Sequence, residues 1–158
     1  FIQGGYLALV YLLFGRSGLI FLVISGVVGF LLLETVNYIE HYGLTRRHLG
    51  DGKYEAVRPR HSWNSDRRAS NWMLINLQRH SDHHLKPSRR YPLLQTYPEA
   101  EAPQLPFGYT AMGFVAMVPP LWRRMMNPRV RKWRADHYPE IRDWAPYKRG
   151  DHPVPQVR

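Results

Sequence analysis

The chain has 158 residues, 22 basic against 12 acidic side chains, a net charge of +10 and no cysteine. That length suits one ordinary domain, and the missing thiols exclude disulfides, iron–sulfur clusters and thiolate zinc sites within these residues. Any metal here is held by imidazole and oxygen, and the basic excess points to nucleic acid, an anionic membrane surface or an acidic partner.

The charge is unevenly spread. Arg16 is the only charged residue among positions 1–33, and the other 21 basic residues all follow Leu44. Two apolar runs, at 6–14 and 19–33, are parted by Gly15-Arg16-Ser17-Gly18, which reads as a turn with Arg16 among headgroups. Continued through Tyr38, the second run has about 20 residues, enough at 1.5 Å each to span a hydrocarbon core of roughly 30 Å. The first is too short to cross alone. It starts without methionine and reads as the end of a longer helix, paired with the second as a transmembrane hairpin over residues 1–43. A signal peptide would need basic residues ahead of its apolar core, and none are present. Lys and Arg gather on the cytoplasmic side, so residues 44–158 are expected in the cytoplasm and Arg16 on the opposite side. No nucleic-acid motif accompanies this hydrophobic front, which leaves the lipid bilayer as the partner and excludes nucleic acid.

The long apolar helix ends in Glu34-Thr35-Val36-Asn37-Tyr38-Ile39-Glu40-His41-Tyr42-Gly43-Leu44. Glu34, Asn37 and His41 share one helical face, and an acidic residue within a spanning helix marks a functional interior. His41 is then a candidate metal ligand at the cytoplasmic rim, with Glu34, Asn37 or Glu40 orienting ligands or balancing charge. The alternative is a polar helix end solvated by headgroups, with Gly43 as its C-terminal cap. Tyr38 and Tyr42 suit an interfacial aromatic belt as well as a site.

Residues 44–60 read as a connector, with Gly50-Asp51-Gly52 as a tight turn. A helix is expected to start near Asn64 or Ser65, with Ser65 as N-cap, and to run through Trp72, Ile75 and Arg79 into Leu77-Gln78-Arg79-His80-Ser81-Asp82-His83-His84, stopping before Pro87. On that helix His80 and His84 are one turn apart and His83 lies on the adjoining flank, all three within an arc of about 100°. Such imidazoles can close on one metal ion or on two neighbouring ions. Iron, copper, manganese and zinc all accept these donors, and the histidines do not choose among them. Asp82 is a candidate acceptor for a ligand imidazole, or a partner for Arg79 three residues away. His61 is a candidate residue around the site, whereas His48, His137 and His152 read as ordinary surface residues.

Beyond the histidines, residues 89–106 are proline-rich and expected to be irregular. Residues 107–122 form a third apolar stretch closed by Pro119-Pro120, too short for a further crossing and expected as a core helix or one along the membrane face. The tail from Arg123 is basic, with Trp133 and Trp144 at intervals that suit an interfacial or packed surface, and His152-Pro153-Val154-Pro155 reads as a terminus or linker.

Asn37-Tyr38-Ile39-Glu40-His41-Tyr42-Gly43-Leu44 followed by Leu77-Gln78-Arg79-His80-Ser81-Asp82-His83-His84 resembles the membrane-bound alkane 1-monooxygenase (alkane ω-hydroxylase) family, within the desaturase-like histidine-box superfamily. The first segment matches that family's motif around a tyrosine–glycine pair and the second its third histidine box. Their separation, the intervening His61-Ser62-Trp63-Asn64-Ser65 and the stretch from Leu105-Pro106 to Pro128-Arg129 match as well, fading after about Arg142.

The resemblance implies an all-α fold, integral membrane helices followed by a cytoplasmic helical catalytic cap over residues 44–158. It implies a non-haem di-iron monooxygenase of the bacterial inner membrane, with its active site on the cytoplasmic side. That enzyme converts the terminal methyl of a linear alkane to a primary alcohol with O2 and two electrons from rubredoxin, itself reduced by its reductase. His41, His80, His83 and His84 would be catalytic iron ligands for the two non-haem iron ions. The family's two further histidine boxes, N-terminal to the first motif, are absent from these residues. The missing N-terminal portion of the same enzyme is therefore an expected partner that completes the ligand set. Two other functions stay open: a related membrane desaturase or hydroxylase of fatty acyl chains, and a non-catalytic membrane-anchored scaffold whose basic face docks an acidic partner.

Overall fold

The computed structural model describes residues 1–145 and 147, so the expectation for His152 and the stretch that follows lies outside the described residues. The chain divides into two units, Phe1–Asn37 and Tyr38–Arg158.

The first unit is apolar helix, the body of α1 (Ile2–His41). By length and composition it is long and apolar enough to cross a membrane, the one such helix among the described residues. Leu12, Phe14, Phe21, Phe30 and Leu33 are each at least 60 % exposed and lie on no single face, a surface that lipid rather than water accommodates. The expected break falls at Gly15 alone, whose φ of 63° and ψ of −162° are non-helical. Only glycine visits that backbone region without strain. Arg16, Ser17 and Gly18 are helical, so the anticipated four-residue turn contracts to one residue.

The second unit starts with the last turn of α1 and continues through β1 (His48–Gly50) and β2 (Lys53–Tyr54), an antiparallel hairpin. The turn predicted at Gly50-Asp51-Gly52 connects them, with all three residues at positive φ. Then come α2 (Arg68–Met73), α3 (His80–Leu85), α4 (Tyr109–Ala116) and α5 (Pro119–His137). Among the described residues the fold is all-α apart from that small hairpin and a single bridge between Asn64 and Gln104.

The helix expected from Ser65 to His84 is broken. Ser65 is no N-cap; it is buried, and its N–H donates to the Gln78 carbonyl. Between α2 and α3 the chain reverses through Ile75 and Asn76, both at positive φ, a conformation Asn tolerates and Ile rarely adopts. The reversal brings the fully buried Gln78 amide onto the Arg67 carbonyl and the Tyr109 N–H. Trp72 and Ile75, expected to carry the helical register, are instead 74 % and 61 % exposed.

Pro119 closes the third apolar stretch and opens α5, where a proline in the first turn forfeits no helical hydrogen bond. α4 has eight residues and buries Tyr109 and Met112, as a core helix does, while Phe114 is exposed. α5 is amphipathic: Trp122, Met126, Val130 and Trp133 recur at helical spacing on its buried face, and Arg123, Arg124, Arg131 and Lys132 are exposed. With Ile39, Trp63, Leu94, Leu105 and Tyr138 they form the core.

Candidate metal centre

The centre begins where α1 ends, and hydrogen bonds hold that end rigid. A helix leaves its last carbonyls without intrahelical donors; here the last two of α1 and the two residues that follow find donors outside it. Glu40 accepts from the Trp63 N–H and His41 from the Leu44 N–H. Tyr42 accepts from the Trp63 indole N–H and Gly43 from the Arg134 guanidinium. The Tyr42 hydroxyl donates to Asn127 of α5 at 2.7 Å, and its ring packs on Tyr38 and Trp122. Gly43 has φ +69°, and a Cβ there would stand 2.8 Å from both Val130 methyls. The tyrosine–glycine pair is therefore the joint that seats His41 against α5.

α3 supplies the opposing side. Ser81 is pinned by the Asn64 side chain, which accepts the Ser81 N–H at 2.9 Å and donates to its hydroxyl. This orients His80 and His84 toward His41. One donor nitrogen from each of His41, His80 and His84 lies within 4.8 Å of the others, and the Nε2 atoms of His41 and His84 are 3.1 Å apart. Two imidazole nitrogens bound about 2.1 Å from one ion, at right angles, stand about 3 Å apart.

Behind His80, Nδ1 lies 3.1 Å from the carboxylate of the buried Glu40. Neither Glu40 Oε1 nor His80 Nδ1 makes a hydrogen bond, but at that separation the pair is within reach of the carboxylate–imidazole arrangement that fixes a ligand's tautomer and ring plane. His80 Nε2 is buried and makes no hydrogen bond, which an imidazole tolerates when a metal takes its lone pair. Burial first, then the neighbouring imidazoles of His84, His41 and His83, push the His80 pKa down to about 3. Burial and His41 lower that of His84. Both are neutral at physiological pH, as metal ligation requires. The donor set, the orphaned nitrogen and the carboxylate behind it all fit a metal ion.

The other expected site residues divide. His83 is not in the three-donor group; its ring stacks on Tyr91 and is centred 5.8 Å from that of His80. Asp82 accepts from no imidazole and does not pair with Arg79. It is fully buried and takes the Arg89 guanidinium, the Gln95 N–H and the Tyr97 hydroxyl. Burial alone would raise its pKa, but these donors outweigh that and hold it below the usual carboxylate range. Arg79 instead donates to the Leu94 carbonyl. Glu34 and Asn37 belong to the apolar unit, where both are exposed.

His61 takes the Arg58 N–H on Nδ1, and its Nε2 is 3.1 Å from the Tyr138 hydroxyl and 3.3 Å from Glu55. With His41 and His84 it lines a cavity of about 390 Å³ that also touches Arg46 and Tyr54. The Glu55–Tyr138 partnership with His61, and the Tyr109 hydroxyl beside Glu40, had no signal in spacing because these residues are remote along the chain. His48 and His137 face Tyr54 and Trp133.

A helical chain with a membrane-length apolar helix and converging imidazoles has the design of a histidine-box membrane protein. It belongs to the fatty acid desaturase family, whose model matches residues 1–116. Among individual proteins it is similar to alkane 1-monooxygenase 2 of Pseudomonas aeruginosa, with 49 % identity over 132 residues, 84 % of this chain and 34 % of that one. Alkane 1-monooxygenase of Acinetobacter baylyi is 46 % identical over 128 residues, 81 % of this chain and 30 % of its own. A xylene/toluene monooxygenase hydroxylase component of Pseudomonas putida is 29 % identical over 103 residues, 65 % of this chain and 26 % of its own. The chain spans about a third of the length of the alkane monooxygenases it matches.

Proposed function

We propose that these residues are the C-terminal part of a membrane non-haem di-iron monooxygenase that hydroxylates the terminal methyl of linear alkanes to primary alcohols. The observation that carries this reading is the convergence of His41, His80 and His84 within 4.8 Å, in a chain whose relatives are named alkane 1-monooxygenase. His41, His80, His83 and His84 would hold iron, with Glu40 steadying His80. The remaining ligands for two irons come from outside residues 1–158. Iron held by these residues would supply the O2 activation that hydroxylation of a C–H bond requires, with rubredoxin and its reductase as the proposed source of electrons.

The residues present hold and aim. Three imidazoles on two separately anchored elements fix the donors before metal arrives, so little ordering entropy is lost on binding. An alkane offers no polar handle, and its affinity comes from apolar enclosure, about 0.8 kcal/mol per buried CH2. Residues 1–43 would be a hairpin in the bacterial inner membrane, which also dissolves the substrate. Residues 44–158 would form the cytoplasmic cap. The exposed cations of α5 give an acidic electron carrier a surface to meet.

The family description itself favours a second reading, desaturation or hydroxylation of a fatty acyl chain. Product analysis separates the two. The intact membrane protein should contain two irons and turn octane into 1-octanol with a rubredoxin system, and His80→Ala should lose both iron and turnover. An unsaturated or hydroxylated acyl product would select the second reading. A folded preparation without metal, indifferent to His80→Ala, would leave the scaffold.

A further inference from the structure

Residues 86–97 cross α3 with no regular structure except one 3-10 turn, Tyr91–Leu93. Propensity does not hold such a segment in place; three side chains from the elements beneath do. The fully buried Asp82 carboxylate takes Arg89 at 2.5 Å, the Gln95 N–H at 2.9 Å and the Tyr97 hydroxyl at 2.9 Å. Arg79 donates to the Leu94 carbonyl at 2.6 Å, and the Asn76 amide to the Pro92 carbonyl at 3.2 Å. Leu94 is fully buried between these anchors. The segment is thus a strap fastened on both sides of Tyr91.

Tyr91 does not join the core; it is 39 % exposed. Its ring lies nearly flat on the imidazole of His83, with an interplanar angle of 21° and centroids 5.2 Å apart. The rings of His41, His80 and His84 are centred 4.4–5.3 Å from one another, whereas His83 is 5.8 Å from His80 and 5.9 Å from His84. Stacking grips an imidazole by its face and leaves both nitrogens free at its edge. A hydrogen bond would instead occupy a nitrogen.

We propose that Tyr91 is a positioning residue for His83, and that the strap exists to present it. Asp82 locks the strap, Tyr91 fixes the imidazole plane, and His83 is held as a donor apart from the three-histidine group, to an ion beside theirs. The proposal rests on the reading of these histidines as ligands of two iron ions.

The test is iron(II) titration of the chelator-treated full-length membrane protein as wild type, Tyr91→Ala and Tyr91→Phe, with Mössbauer spectra of the loaded forms. Tyr91→Ala should bind one of its two ions at least about tenfold more weakly and lose the spectrum of the coupled pair, whereas Tyr91→Phe, which keeps the stacked ring, should behave as wild type. Unchanged affinity for both ions in Tyr91→Ala, or equal weakening of both, would overturn the positioning role. A wild-type protein without iron would overturn the metal reading beneath it, a failure visible before any variant is compared.

Discussion

Glu40 stands 3.1 Å from Nδ1 of His80, close enough to receive that N–H once the ring binds a metal through its other nitrogen. A carboxylate behind a ligand imidazole holds its ring plane and makes the opposite nitrogen a better donor. Burial pushes the Glu40 pKa up to about 8, and a bound cation would favour its charged form; Glu40→Gln keeps the shape and cannot ionise. We expect it to weaken iron binding about ten- to a hundredfold with helix content unchanged, read by iron(II) titration beside circular dichroism. His61 makes a separate, pH-dependent contribution. Burial first, and the Arg60 charge, outweigh Glu55 and depress its pKa to about 4. Between pH 6.5 and 4 the unfolded chain binds a proton that the folded chain refuses, so stability falls with acidification at a slope approaching about 1.4 kcal/mol per pH unit. Above pH 6.5 this contribution is fully present. His61→Gln, which does not titrate, should flatten that slope in thermal unfolding of the solubilised protein. An unchanged slope would assign the acid lability to other groups.

At the scale of elements, the joint between α1 and α5 explains why a tyrosine–glycine pair follows His41. Gly43→Ala places a methyl 2.8 Å from two Val130 methyls at a φ of +69°, and together clash and backbone strain should destabilise the second unit by about 1–3 kcal/mol. Val130→Ala added to Gly43→Ala should recover the clash but not the strain, so the two changes should be less than additive in a double-mutant cycle. Strict additivity would mean that the contact is relieved elsewhere. The His41 end of α1 was legible because its apolar run and polar ending both obey helical spacing. The join between α2 and α3 was not. Its residues have helical periodicity, but Gln78 gains two buried partners only if Ile75 and Asn76 turn the chain back. No local pattern records a bond to Tyr109, 31 residues away. The grouping of His80 with His84 does not depend on that join, because both lie within α3, where the i, i+4 relation holds. The role of Asp82 is hidden for the opposite reason: it adjoins the histidines in sequence, whereas its partners lie 7–15 residues further on.

At the scale of the whole molecule, an apolar unit and a basic unit meet in one continuous chain, and their charge difference makes an orientation testable. Arg16 alone opposes the cluster of cations beyond Leu44. From the positive-inside rule we expect Ser17, beside the Gly15 break, on the face away from the cytoplasm and Ser88, on the strap, within it. Residues 1–158 contain no cysteine, so a single Cys can be placed at either position without a competing thiol from this part. In inverted vesicles, which expose the cytoplasmic face, a membrane-impermeant maleimide should label Ser88→Cys at once and Ser17→Cys only after detergent is added. Spheroplasts opened at the outer surface should give the reverse order for Ser17→Cys. If both positions label from the same side, the segments flanking Gly15 form no hairpin boundary there and α1 does not carry the chain across. Labelling of Ser88→Cys from the outer surface alone would invert the topology and overturn the proposal that a cytoplasmic electron carrier reaches the histidines.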